Sequence, residues 1–160
     1  ILAVAISQVV TGNFAAQVRA KSTGLQRRYR DLVTFLIVMS SLFAIFCWFF
    51  IPTIFYFFFG EEWTVAGNLA KYSIFYVAVV LVASPVNMLL IVSGKQWQQL
   101  IWEIFRFVLM AGFFLTLNLY VDFSLENALI SLGAVSGFCY LIFLIAVDKV
   151  MAEIDQAYSN

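Results

Sequence analysis

From Leu32 to Phe59 the chain contains no charged residue. As a helix this run reaches roughly 40 Å at 1.5 Å per residue, enough to cross a hydrocarbon layer of about 30 Å. A basic cluster precedes it, formed by Arg19, Lys21, Arg27, Arg28 and Arg30, and an acidic, aromatic corner follows it, Gly60-Glu61-Glu62-Trp63. Four further apolar blocks share the pattern: Ile1 to about Val18, Val65 to Val92, Leu100 to Val121 and Leu125 to Val147. Short polar turns separate them. The pattern predicts an all-α integral membrane protein, a polytopic helical bundle with four full spans and a partial fifth.

The blocks differ in detail. The first, residues 1–18, carries Ser7, Gln8, Thr11, Asn13 and Gln17 at helical spacings. Unpaired polar groups are costly in hydrocarbon, so this block reads as the end of a helix whose polar side faces other helices or a wet cavity. Residues 19–31 read as a basic linker. The rest of the chain, 32–160, reads as a four-span membrane bundle with a polar tail from Asp148 that emerges as a frayed helix. The run from Leu32 reads as a lipid-facing wall, kinked after Ile51 because Pro52 removes a backbone donor. Pro85 predicts a second kink, and Gly94 a C-terminal cap. Ser124 is placed to cap the last helix. Gly133 and Gly137 form a small-xxx-small pair suited to close helix packing.

Charge adds direction. The linker, the Lys95 turn and the Lys149 tail fall on one side, while Glu61, Glu62 and Asp122 fall on the other. Lys and Arg accumulate on the cytoplasmic side, which places the linker and the C-terminus in the cytoplasm. Composition agrees with a membrane: 64% of residues are hydrophobic, 11% are charged, and mean hydropathy is +0.97. A soluble domain is about half apolar and a quarter charged. Net charge is zero, so nothing argues for nucleic acid. The chain opens at Ile1 inside an apolar run, which reads as a piece of a longer protein.

Candidate chemistry is sparse. There is no histidine, and Cys47 and Cys139 sit apart in apolar runs as free buried thiols, so no metal site, catalytic residue or cofactor is expected and an enzyme is disfavoured. Three charges lie inside the spans. Glu103 and Arg106 are three apart and share a helix face. They form an interfacial ion pair with Arg106 snorkelling to the headgroups, or Arg106 lines a cavity and neutralises an anionic substrate. Lys71 snorkels outward or lines the same cavity. The basic cluster is first a topology signal and meets anionic lipid headgroups.

The ordered motifs Ala5-Ile6-Ser7-Gln8-Val9, Phe59-Gly60-Glu61-Glu62-Trp63, Ala66-Gly67, Ser84-Pro85 and Gly94-Lys95-Gln96 resemble the C-terminal part of bacterial polysaccharide flippases. These O-antigen and exopolysaccharide exporters belong to the multidrug/oligosaccharidyl-lipid/polysaccharide (MATE-like) superfamily. The resemblance implies about twelve helices in two bundles, with this chain ending the second. It implies transport of a polyprenyl-diphosphate-linked oligosaccharide from the cytoplasmic to the periplasmic leaflet of the inner membrane by alternating access. Its implied partners are the N-terminal bundle of the same transporter and polysaccharide polymerase machinery. On the residues themselves, Ser7, Gln8, Thr11, Asn13, Lys71 and Arg106 are the substrate-cavity candidates. A cation-coupled multidrug exporter of the same superfamily, or a non-transporting membrane scaffold subunit, are the alternative readings.

Overall fold

The computed structural model describes Gly12, Phe14, Ala16, Ala20 and residues 24–120 and 124–159. Four long helices make up nearly all of it: α1 Leu25–Phe59, α2 Thr64–Val92, α3 Gln96–Tyr120 and α4 Leu125–Ser159. A 3₁₀ turn, Glu61–Trp63, joins α1 to α2. Each of the four helices is long and apolar enough to cross a membrane, α3 least so, with a mean hydropathy of 1.4 against 2.4 for α1. The chain is therefore an all-α, multi-pass membrane bundle, and its apolar helices meet the bilayer.

Successive helices run in opposite directions, so the start of α1, the α2–α3 turn and the end of α4 share one end of the bundle. Arg27, Arg28, Arg30, Lys95 and Lys149 lie there, and we call it the basic end. Glu61, Glu62, Trp63 and Glu126 lie at the other. α2 sits between α1 and α4, and α3 packs at the edge.

Two glycines set how closely the helices approach. A Cβ on Gly67 would stand 2.9 Å from the Phe55 Cβ and 3.2 Å from the Pro52 Cα. A Cβ on Gly133 would stand 2.8 Å from the Phe75 Cβ and 3.3 Å from the Tyr76 nitrogen. Lipid tails are as apolar as Leu, so helices in a membrane gain most from such backbone-close packing.

The α2–α3 turn forms as expected. Gly94 takes φ 73°, the Lys95 N–H donates to the Leu90 carbonyl at 2.9 Å, and the Gly94 N–H donates to the Ile91 carbonyl at 3.1 Å. This is the paired closure that a left-handed glycine after a helix permits. At the start of α4, the Asn127 N–H donates to the Ser124 hydroxyl at 3.3 Å.

Three expectations need correction. Helix α1 begins at Leu25, so Arg27, Arg28, Arg30 and Asp31 are helical and only the earlier part of 19–31 can be linker. Its first turn is closed from α4, because the Gly24 and Leu25 N–H groups donate to the Asp155 carboxylate at 2.7 and 3.3 Å. For the same reason the tail from Asp148 is a docked helix rather than a frayed one, with Val147 and Met151 fully buried. Finally, α1 is a lipid-facing wall on one side only. Phe49, Phe57 and Phe58 point outward, whereas Leu36, Ser40 and Cys47 are buried.

The tightest core lies toward the basic end, where Leu25 and Tyr29 of α1 meet Val86, Leu89 and Leu90 of α2 and Phe143, Val147 and Met151 of α4. Phe14 joins the same cluster.

Candidate functional site

Arg106 lies one helical turn beyond Glu103 on α3. Its Nε and Nη2 donate to the Glu103 Oε2 at 3.0 and 2.6 Å. The pair also engages two neighbouring helices. Asn87 of α2 offers its amide to the Glu103 Oε1 at 3.5 Å, the weak end of hydrogen-bond range. The Arg106 guanidinium carbon lies 5.1 Å from the ring centroid of Tyr140 on α4. A cation within about 6 Å of a ring face is attracted by the ring quadrupole. One turn toward the basic end, Trp102 stacks on Phe143 with centroids 5.3 Å apart. In the other direction, the Ser136 hydroxyl lies 4.0 Å from the Met110 sulfur. These contacts are how the edge helix α3 is held to the bundle. The buried Trp102 indole N–H has no hydrogen-bond partner among the described residues.

Lys71 sits elsewhere. Its Nζ lies 4.2 Å from the centroid of the Trp48 ring on α1 and 6.0 Å from that of Tyr72. Among the described residues no carboxylate forms a salt bridge with it. Lys71 is half-buried, so the aromatic face substitutes for part of its lost hydration. Asn87, which touches the Glu103–Arg106 pair, stands sixteen positions after Lys71 on α2. That places the two cations about 24 Å apart along the helix axis.

Of the predicted cavity residues, the two that are described, Lys71 and Arg106, are thus not brought together. Lys71 joins α1 to α2 near the acidic end, and Arg106 joins α3 to α2 and α4 toward the basic end. Ser7, Gln8, Thr11 and Asn13 lie outside the described residues, as do Arg19 and Lys21. Arg27 and Arg28 are exposed. Arg30 makes a two-pronged ion pair with Asp148, Nε to Oδ1 and Nη2 to Oδ2, both at 2.8 Å. Asp148 also accepts from the Gln26 amide at 3.2 Å. Both charges lie beyond the uncharged runs of α1 and α4, outside the spanning segments. The Arg30 guanidinium, through its hydrogen bonds, holds the Asp148 carboxyl below the usual carboxylate range. Beside them the Tyr29 hydroxyl donates to the Leu144 carbonyl at 2.8 Å. Together these contacts clasp the start of α1 to the end of α4.

Sequence reasoning paired Glu103 with Arg106 but missed the clasp. One signal was available: Arg30 and Asp148 are charges just outside the two uncharged runs, at the same end of an antiparallel pair. No such signal existed for Trp48, Asn87 or Tyr140, whose roles depend on which helices neighbour one another.

Comparison with protein-family models, with curated proteins and with solved structures gives no match.

Proposed function

We propose that this chain is part of an exporter that flips a polyprenyl-diphosphate-linked oligosaccharide across the bacterial inner membrane, with the basic end in the cytoplasm. The observation that carries the reading is Lys71, a membrane-embedded cation cradled by aromatic rings with no carboxylate partner among the described residues. Embedded ionisable residues are costly and mark substrate paths. A diphosphate moving from the basic to the acidic end is the class of cargo that such a cation favours. The resemblance of the Phe59–Trp63 corner and the motifs after it to polysaccharide flippases supports the same cargo. Arg106 is already neutralised by Glu103, so its role here is to position α3 against α2 and α4.

In this reading the two bundles of the full-length transporter rock about a central site. Lys71 draws the diphosphate toward the periplasmic leaflet, and the prenyl chain stays in lipid. Glu103 is engaged by Arg106, which weakens the cation-coupled multidrug alternative, since a coupling carboxylate must be free to exchange its cation.

The test is flipping by the full-length protein in proteoliposomes, with surface polysaccharide measured in cells. Lys71→Gln is expected to lower export about tenfold at unchanged membrane abundance, a loss of ~1.4 kcal/mol of stabilisation. Normal export by Lys71→Gln would remove the residue from the path. Failure of the unaltered protein to move a labelled lipid-linked sugar would overturn the function itself.

A further inference from the structure

Lys71 is parked rather than free. Its Nζ stands 4.2 Å from the centroid of the Trp48 ring, and that ring is itself braced. Tyr72 meets it edge-on with centroids 5.9 Å apart, and Phe75 meets it at 52° with centroids 5.2 Å apart. Phe75 in turn backs onto α4, where a Cβ added to Gly133 would stand 2.8 Å from the Phe75 Cβ. Trp48 of α1 is therefore a fixed platform, held by two rings of α2. The cation is the movable member. Lys71 sits seven positions after Thr64, about 10 Å inside the acidic end of α2, on a flexible four-carbon stem.

The ring and an incoming anion compete for the same charge. A bare ammonium in hydrocarbon is costly, and an aromatic face offsets only part of that cost. A phosphate oxygen offsets more, because it brings opposite charge and a charge-assisted hydrogen bond. Among the described residues no salt bridge engages Lys71, so the Trp48 ring is the contact an anion must displace. Trp is also the strongest of the aromatic partners for a cation. A partly desolvated contact of this kind holds the parked state at about tenfold excess, so roughly one Lys71 in ten is free to receive an anion. Apparent affinity falls by that same fraction.

We infer that Trp48 is an autoinhibitory latch on Lys71: it holds the ammonium in reserve, and a prenyl diphosphate engages Lys71 only by drawing it off the ring. The inference rests on the proposed cargo and adds a gate on its capture. The gate discriminates by charge. A neutral prenyl chain offers the ammonium nothing in exchange for the ring, whereas a diphosphate does. Release also removes a contact that joins α1 to α2 near the acidic end, so capture of the diphosphate favours separation of the two helices there.

The test is equilibrium binding of radiolabelled farnesyl diphosphate, a short prenyl diphosphate, to the full-length protein in detergent. Lys71→Gln is expected to weaken binding about tenfold. Trp48→Leu is expected to tighten it about fivefold, because Tyr72 still offers a more distant ring, and Trp48→Phe about twofold. Damaged packing weakens binding, so a gain of affinity separates a latch from a structural role. Should Trp48→Leu misfold, Trp48→Phe keeps a ring in place and carries the test through its twofold gain. Binding of uncharged farnesol is expected to be the same in the unaltered protein and both Trp48 variants. The latch is overturned, with the proposed cargo intact, if binding depends on Lys71 and neither Trp48 variant tightens it. It is equally overturned if the variants tighten farnesol as much as the diphosphate, or if excess phosphatidylglycerol displaces the probe, which would make Lys71 a headgroup anchor. If no form shows Lys71-dependent binding, the proposed path loses Lys71 and the latch falls with it.

Discussion

The two ends of the bundle are held together by different physics. At the basic end, polar groups far apart in sequence meet: Asp155 with the first turn of α1, Asp148 with Arg30, and the Tyr29 hydroxyl with the Leu144 carbonyl. Behind them Leu25, Tyr29 and Met151 are sealed from solvent. At the acidic end the polar contacts are local, as where the Thr64 hydroxyl donates to the Glu61 carbonyl at 2.6 Å. Phe57 and Phe58 there are 79% and 72% exposed. What joins α1 to α2 near that end is backbone proximity at Pro52 and Gly67, beside the Lys71 contact with the Trp48 ring. In a lipid solvent, apolar contact alone does not drive helices together, so each end uses one of the two remaining means, hydrogen bonding or close approach.

This contrast can be broken most strongly at the close approach. Gly67→Leu would drive a side chain into Phe55 and the Pro52 backbone. We expect about 3 kcal/mol of destabilisation, the upper range for overpacking, read as a fall in unfolding midpoint in detergent. An unchanged midpoint would show that the helices separate at little cost.

The clasp is expected to respond next. Asp155→Ala should remove ~1 kcal/mol by leaving the first N–H groups of α1 without their acceptor, while Asp155→Asn, an equally good cap, should retain most of it. Hydrogen exchange at Gly24 and Leu25 distinguishes the two, because only the alanine variant should speed it. Tyr29→Phe should cost about 1 kcal/mol or less through the lost hydroxyl bond. A larger loss would mean that the ring packing had changed too.

The Arg30–Asp148 pair should respond least, since exposed pairs contribute little. Its sign with pH is nonetheless fixed. The folded carboxyl titrates below its unfolded value, so the contribution is complete above the ordinary aspartate range. It disappears as pH falls through the folded value, below about pH 4. Asp148→Asn should flatten that acid limb in a pH series of melting temperatures. An identical limb in the variant would assign acid sensitivity to other carboxylates.

Much of the architecture was legible in the sequence, for a physical reason. The runs 32–59 and 125–147 carry no charge other than Glu126 near the edge of the second, and hydrocarbon thickness converts such runs into spans with few alternatives. The Gly94 turn and the Ser124 cap were legible too, because backbone geometry and a hydroxyl suffice to specify them. The site was less so. Glu103 and Arg106 could be paired from spacing on one helix, whereas the partners of Lys71 and Arg106 on other helices could not, since lateral packing leaves no periodic trace. The tail was misread because its polarity suggested fraying. The polar residues that make it look solvated, Asp148 and Asp155, are the ones that dock it.

The cap on α1 also fixes an order of events during synthesis. The Gly24 N–H finds its acceptor on a residue 131 positions later in the chain. At ribosomal speeds of about 5–20 residues per second, that acceptor is made roughly 7–26 s after Gly24 itself. Throughout that interval the first turn of α1 must be satisfied by water or headgroups, and only the arrival of the last helix closes it. The clasp therefore closes late, at the end of the bundle where α1 began.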